Sequence, residues 1–250
     1  MDQFAVILPA AGRSTRFGDG KQKKIYAELE GRAVWLRAVE PFLNRDDVAQ
    51  IIIAIHAEDR EMFERRYRPN VAFLGIQVIE GGEERSDTIA KALELVEPSV
   101  GYVAIHDAAR PCLSRELVSA VFAAAIRHGA AIPARPVAET LKRVDSEGAI
   151  VETVPRDGLQ TAQTPQVFRR DLIMRAYENR SALGAAAGVT DDARLVEAIG
   201  GVCRVVPGSI MNLKITTAED LALATAILRL ETPPPADEHR GPRFVDERFD

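Results

Sequence analysis

The sequence predicts an α/β fold, a doubly wound and mostly parallel sheet with a protruding β-arm. Three observations lead there. Short apolar runs recur along the chain, they are continuous rather than alternating, and segments with helical spacing separate them. Continuous apolarity marks strands buried on both faces, as in a parallel sheet covered by helices. Alternating strands and helices joined by right-handed crossovers leave few other arrangements.

The first run, Phe4 to Leu8, ends at Pro9 and a loop of small residues, and reads as a buried strand. A helical pattern follows over 33–43, with Trp35, Leu36, Val39 and Leu43 on one side. Ile51 to Ile55 is a second strand of the same type, 60–67 a helix, and 77–79 a short strand. Over 86–96, Ile89, Leu93 and Val96 share one helical face, and 100–105 is the next strand. Its apolar run stops at His106-Asp107, where a carboxyl edge of the sheet belongs. Ligands of open α/β sheets sit beyond that edge.

The rhythm then breaks. Residues 140–154 read as two short strands about a Ser-Glu-Gly turn, with Arg156 just beyond. This β-arm, at about 137–160, is either a decorative loop or an arm that embraces a second subunit. From Glu231 through Pro233, Pro234 and Pro235 to Asp250, proline and charge dominate, and the segment reads as a disordered or loosely attached tail. No linker divides the body, so residues 1–230 are expected to form one domain.

Of 250 residues, 46% are hydrophobic and 28% charged, the balance of a globular domain with a sizeable core. A net charge of -5 argues against a nucleic-acid partner, whose binding rests on neutralising phosphates, but leaves room for a local basic pocket. Cys112 and Cys203 form no CxxC and are expected to be buried thiols. The amino terminus lacks a basic stretch before its short apolar run, and nothing approaches a membrane-spanning length. A cytoplasmic location with no membrane contact is the expectation.

Four sets of polar residues stand where chemistry is expected. The loop from Pro9 to Arg16, PAAGRSTR, places small residues directly after a strand, where successive amides can cradle an anion. It matches neither GxGxxG nor GxxxxGK[ST], which removes the main support for a dehydrogenase or P-loop reading. Arg16 adds a planar charged fork suited to phosphate oxygens. Lysines of the following loop, GDGKQKK, read as a solvated basic loop or as charges that neutralise a transferring phosphorus. The segment 81–88, GGEERSDT, suits a tight turn and a helix cap, or a polar rim around a base or ribose. In HDAARP, Asp107 can coordinate magnesium or accept from a substrate hydroxyl, and Arg110 can hold a phosphate or simply pair with Asp107. His106 reads as structural. Thr164-Pro-Gln166, Thr190-Asp-Asp192 and Asn212-Leu-Lys214 put further polar groups beside predicted elements, and Thr190-Asp-Asp also reads as a helix cap.

Together these blocks resemble the 2-C-methyl-D-erythritol 4-phosphate cytidylyltransferases of the non-mevalonate isoprenoid pathway, from about Phe4 to Arg229. PAAGRSTRF is similar to that family's AAGxGxRF loop, GGEERSDTI to GGxxRxxSV, and RDGLQTAQTPQVF to RxxLxxxQTPQxF. HDAARP matches the family signature, and VTDDA and NLKITTAEDL follow in the expected order.

The resemblance implies a Rossmann-like nucleotidyltransferase fold that transfers CMP from CTP to the erythritol phosphate with Mg2+, in a homodimer whose arm completes the neighbour's site. It further implies that Arg16, Lys24 and Lys214 are catalytic, and that Ala10, Ala11, Gly12, Gly82 and Thr88 hold the nucleotide. Asp107, Arg110, Thr140, Arg156 and Thr190 would bind the substrate, Thr140 and Arg156 from across the dimer. Asp107 is also the one candidate metal ligand. Two departures stand out. Ser14 replaces a frequent glycine, and QKKIYAEL replaces the family's PKQYL or PKxFxPL. Aligning Tyr26 with the family's aromatic puts Lys24 in the catalytic place, whereas counting from Arg16 without a gap puts Lys23 there. A ribitol- or other polyol-phosphate cytidylyltransferase shares most of these blocks, and a non-catalytic nucleotide-binding module is the rival of another class.

Overall fold

The computed structural model describes residues 2–12, 14, 17, 23–180 and 191–231. The 231–250 tail expected to be disordered therefore lies outside the described residues, apart from its first residue. The first half of the chain forms β1 (Phe4–Ala10), β2 (Glu28–Leu29), β3 (Arg32–Ala33), α1 (Val34–Val39), β4 (Val48–Ile55), α2 (Arg60–Leu74), β5 (Gln77–Glu80), α3 (Arg85–Leu93) and β6 (Tyr102–Ile105). The second half adds α4 (Arg115–His128), β7 (Ala130–Pro136), β8 (Leu141–Val144), β9 (Ile150–Val154), β10 (Gln160–Ala162) and β11 (Gln166–Arg169). It closes with α5 (Arg170–Glu178), α6 (Asp192–Ala198), β12 (Arg204–Pro207) and α7 (Ala218–Glu231).

The parallel core is β5, β4, β1 and β6, side by side. Its continuous apolar runs are explained by two faces buried at once. Phe4, Val6, Leu8 and Ala10 face one helical layer with Trp35, Phe42, Phe63 and Phe122, while Ala5 and Ile7 face another with Ile89, Leu93, Ile173 and Leu195. A period of two on a sheet with helices on both sides leaves no position for a polar residue. A smaller third core, with Leu29, Val34, Cys112, Ile215 and Ala224, lies where α7 meets the β2–β3 hairpin.

The sheet is mixed beyond this core. β11 lies antiparallel between β6 and β7, β10 is antiparallel to β7, and β12 is parallel to β7. β10 and β11 run the same way, both antiparallel to β7, with only Gln163 to Pro165 between them. The β8–β9 hairpin is an excursion between β7 and β10 and forms its own two-stranded sheet. Its turn is held by Asp145, whose Oδ1 accepts from the backbone N–H groups of Glu147 and Ala149, with Gly148 at φ +86°.

Boundaries differ from expectation at several places. The helix expected over 33–43 ends at Val39, and Pro41 lies in a 3-10 turn, Glu40–Phe42, because proline supplies no N–H for a longer helix. The helix expected over 60–67 runs through Pro69 to Leu74 and stops at Gly75, φ +64°. The strand expected from 100 begins at Tyr102, and Thr140 precedes β8 rather than belonging to it. Cys112 is a buried thiol as expected, but Cys203 is only half-buried, its thiol pushed up to about 12 by burial. Among the described residues, no helix is long and apolar enough to cross a membrane.

Candidate active site

Four parallel strands end on one side of the sheet, and the loops beyond them enclose a cavity of about 410 Å³. Its wall includes Ala10 at the end of β1 with Ala11 and Gly12 beyond it, His56 after β4, Gly81 and Gly82 after β5, and Asp107 after β6. Lys24, Arg85, Thr88 and Lys214 complete it.

The turn from β5 into α3 is built for close approach. A Cβ on Gly81 would lie 2.5 Å from the Ala11 Cβ, and one on Gly82 would lie 2.4 Å from the Asp87 Cβ. Neither gap admits a side chain, so the two glycines let β1 and α3 close on the same space. Thr88, buried on α3, fixes the turn: its Oγ1 accepts from the Gly82 N–H at 3.0 Å and donates to the Glu84 carbonyl at 3.0 Å. Lys91 donates to the Gly81 carbonyl. The result is a glycine wall that presents backbone rather than side chains toward the loop after β1. Gly12 has open space where its Cβ would be.

Asp107 is the electrostatic centre. Its Oδ2 meets Lys214 Nζ at 2.9 Å and Arg110 Nε at 3.4 Å, and its Oδ1 lies 3.8 Å from Arg85 Nε. Burial by itself would raise this carboxyl's pKa; the attraction of Lys214, Arg85 and Arg110 overrides it and holds the group well below the usual carboxylate range. Asp107 is therefore ionised at any ordinary pH. Beneath it, His106 is fully buried and its pKa is lowered by that burial to about 4, so the ring is neutral. The contacts fix its tautomer: Nε2–H donates to the Arg110 carbonyl at 3.1 Å, which leaves Nδ1 to accept from the Thr164 hydroxyl at 3.0 Å. Thr164 in turn accepts from the Asp107 N–H. The structural role expected of His106 is thus to hold the HDAARP turn under Asp107.

Arg110 donates from Nη1 to the Asn212 carbonyl at 2.8 Å, and Asn212 Nδ2 donates to the Thr164 carbonyl at 2.8 Å. These bonds carry Lys214, two residues on, to the same cavity. The neighbouring lysines separate clearly. Lys23 Nζ grips both oxygens of Asp59, at 2.8 and 2.7 Å, and Tyr26 donates to the same carboxylate. Lys24 lines the cavity and its N–H donates to Ser14 Oγ.

The expected residues divide into three groups. Ala10, Ala11, Gly12, Lys24, Gly82, Thr88, Asp107 and Lys214 line one cavity, with Arg110 directly behind Asp107. Arg16 and Thr190 lie outside the described residues. Thr140 and Arg156 are exposed on the hairpin and do not reach the cavity of their own chain; Arg156 Nη1 donates to the Ala138 carbonyl.

The sequence placed Gln166 and Asp192 only among polar groups beside predicted elements, Asp192 within a helix cap, and assigned no role to Arg85 or His56. Arg85 lines the cavity and forms a two-pronged pair with Asp192, Nη1–Oδ1 3.0 Å and Nη2–Oδ2 2.6 Å. Asp192, fully buried, also accepts from the Tyr177 hydroxyl at 2.6 Å. Gln166 Oε1 accepts from the N–H groups of Asp192 and Ala193. The helix cap expected of Thr190-Asp-Asp is made by Asp191, whose Oδ1 accepts from the Arg194 N–H at the start of α6. An arginine three residues before a buried threonine, and a second acid beside a cap, were the only signals in the sequence.

As a magnesium ligand Asp107 fits poorly. Its carboxylate is already shared among three cationic side chains, which would repel a bound dication. Among the described residues no three His, Cys, Asp or Glu side chains converge into a metal-binding group.

Comparison with known proteins agrees with this fold. The IspD family model, 2-C-methyl-D-erythritol 4-phosphate cytidylyltransferase, matches residues 4–230. The enzyme of that name from Frankia casuarinae is 44% identical over 241 residues, 96% of this chain and 85% of the relative. That from Rhodopirellula baltica is 40% identical over 235 residues, 90% of this chain and 94% of the relative. The crystal structure of the Thermus thermophilus enzyme superposes with a TM-score of 0.73 at 33% identity, covering 90% of this chain and 98% of that one. The 4-diphosphocytidyl-2C-methyl-D-erythritol synthase of Anaerococcus prevotii gives 0.77 at 28% identity, covering 91% and 99%.

Proposed function

This chain belongs to the 2-C-methyl-D-erythritol 4-phosphate cytidylyltransferase family, and from that membership we infer how its strand-end cavity carries out the reaction. The enzyme transfers CMP from CTP to 2-C-methyl-D-erythritol 4-phosphate, giving 4-diphosphocytidyl-2-C-methyl-D-erythritol and pyrophosphate in the non-mevalonate route to isoprenoid precursors.

The observation that carries the site reading is the meeting of a backbone cradle and a cation cluster in one cavity. Ala10, Ala11, Gly12, Gly82 and Thr88 form the nucleotide side; Lys24, Lys214 and Asp107 form the other. A phosphate oxygen of the substrate forms a bond to the α-phosphorus of CTP as the bond to the bridging oxygen of pyrophosphate breaks, in line. The nucleophile is already anionic, so no general base is required. What the protein must supply is orientation and neutralisation of charge on the phosphorus oxygens. Lys24 and Lys214 are assigned that work, with Arg16 from the first loop. Lys214 swings from Asp107 onto the α-phosphate; its side chain is 41% exposed, enough to move. Asp107 then accepts from a hydroxyl of the polyol and Arg110 steadies it, with Thr190 as a further contact.

Magnesium supplies charge neutralisation on the triphosphate, and it is assigned to the Mg–CTP substrate rather than to Asp107, since magnesium is commonly held through phosphates with few protein ligands. Thr140 and Arg156 are assigned to the partner's cavity, which makes the functional unit a homodimer joined through the hairpin. The placement supports this: both residues are exposed and do not line their own cavity, and Val144, Ile150 and Val151 on the adjoining hairpin are more than half exposed. Exposed aliphatic side chains on a two-stranded excursion call for a cover.

The test is pyrophosphate release with Mg–CTP and either methylerythritol 4-phosphate or ribitol 5-phosphate. Release with the first alone is expected. Release only with ribitol 5-phosphate would transfer the enzyme to the other polyol, and release with neither would leave a nucleotide-binding module.

A further inference from the structure

Arg85 stands between two carboxylates and has chosen one. Both prongs of its guanidinium engage Asp192, at 3.0 and 2.6 Å, while its Nε remains 3.8 Å from Asp107 Oδ1. The choice is enforced from behind. Asp192 is fully buried, accepts from the Tyr177 hydroxyl at 2.6 Å, and has its own N–H bonded to Gln166 Oε1 at 3.0 Å. Gln166 is itself held by Asp191 Oδ2 at 2.9 Å, so the carboxylate cannot follow Arg85.

The consequence falls on Asp107. Its Oδ2 is taken by Lys214 at 2.9 Å and approached by Arg110 at 3.4 Å, whereas Oδ1 meets, among the described residues, only the distant Arg85 Nε. A guanidinium released from Asp192 would have Asp107 as the nearest anion. Attraction between unit charges at about 4 Å is worth several kcal/mol in a partly buried site, ample to draw the fork in. The last acceptor of Asp107 would then be filled.

We propose that Asp192 is a positioning residue which, by holding Arg85 back, keeps Asp107 Oδ1 open to accept from a hydroxyl of the polyol phosphate. This rests on the assignment of Asp107 as a substrate contact. It makes the buried Arg85–Asp192 pair a determinant of affinity for the polyol rather than for CTP, although Arg85 sits beside the glycine wall of the nucleotide side.

The experiment is steady-state pyrophosphate release, varying the polyol phosphate and CTP separately, for the wild type and for Asp107→Asn, Asp192→Asn and the double variant Arg85→Gln with Asp192→Asn. Thermal melts establish which proteins are folded. Asp192→Asn is expected to raise the polyol KM about tenfold, the loss of roughly one charge-assisted hydrogen bond, with the CTP KM within about twofold of wild type. The double variant, which lacks the arginine that would close on Asp107, is expected to recover to within about threefold, a reversal that lost packing would not produce. An unchanged polyol KM in Asp192→Asn, or a double variant as impaired as the single, overturns the proposal. Should Asp192→Asn fail to fold, Asp192→Ser takes its place, judged by the same rise and by the same reversal when combined with Arg85→Gln. A large rise in the polyol KM of the double variant makes Arg85 itself the contact and overturns the proposal. Asp107→Asn separates the two readings: if it leaves the polyol KM unchanged, the assignment of Asp107 falls; if it raises the KM while Asp192→Asn is silent, only the role of Asp192 falls.

Discussion

Lys23 and Lys24 carry the same charge one residue apart, yet their surroundings give them different work. Lys23 is spent on Asp59, which also anchors the Tyr26 hydroxyl, and Lys24 lines the cavity. Lys24→Ala is expected to lower kcat by about a hundredfold or more with little change in CTP affinity, the pattern of a lost transition-state charge contact. Lys23→Ala should instead lower the melting temperature, by about 1 kcal/mol of stability for a partly buried pair, and leave kcat within a few-fold. A pyrophosphate assay and a thermal melt on the two variants distinguish them. His106 gives the site a pH dependence of its own. Its pKa is lowered by burial to about 4 in the folded protein against about 6.5 when unfolded, so below pH 6.5 the unfolded chain takes a proton that the native ring refuses. Stability should therefore fall as pH drops from about 6.5 to 4, by about 3 kcal/mol in all. Asp107, whose pKa is also lowered by folding, adds a further loss as pH falls below the ordinary carboxylate range. Melting curves across that interval should be markedly flatter for His106→Asn.

At the scale of an element, the turn from β5 to α3 shows how a fold makes a cavity wall. Two glycines admit the approach of β1, and Thr88, one turn into the helix, ties the Gly82 N–H and the Glu84 carbonyl into place. Gly82→Ala would drive its Cβ against Asp87 at the first turn of α3. The turn would have to open, and a loss of about 1–3 kcal/mol is expected, as for an overpacked core site. Because the same turn faces the cavity, the CTP KM should rise more than the polyol KM, which initial-rate kinetics would read directly. The HDAARP turn works on the same plan, with a buried neutral histidine in place of glycine as the fixed point. Both turns stand at carboxyl ends of the parallel strands, after β5 and β6 with β4 and β1 between them, so both face one cavity.

At the scale of the molecule, the cavity of one chain lacks two of its expected groups. Thr140 and Arg156 stand at either foot of the hairpin, exposed, while the exposed aliphatic residues of the hairpin await cover. On the dimer reading, Arg156→Ala should raise the polyol-phosphate KM about tenfold or more without changing the melting temperature. Removing 141–154 in favour of a short turn should yield a monomer by sedimentation, with loss of activity. A monomeric protein that kept full activity would sink the arm's role.

How far the sequence could be read follows from how each feature is encoded. Strands β1, β4 and β6 and helix α3 were legible because burial on two faces or one stripe writes itself directly into apolar order. β7, β10 and β12 were not read. AAIPARP carries alanines and prolines that match no strand template, and its strand character comes from the neighbours it pairs with. The antiparallel insertion of β11 was likewise unreadable, since strand direction depends on the neighbours a strand pairs with, here β6 and β7. The sequence by itself determined the α/β class, the strand-end loops and the list of groups able to handle a phosphate, because local order encodes periodicity, turn chemistry and side-chain type. Only the tertiary structure paired Lys23 with Asp59 and set Lys24 on the cavity wall, surrounded Asp107 with three cations, and paired Arg85 with Asp192 across 107 residues of chain. Those outcomes depend on distances between distant segments, and electrostatic energy is set by distance and burial, neither of which local order contains.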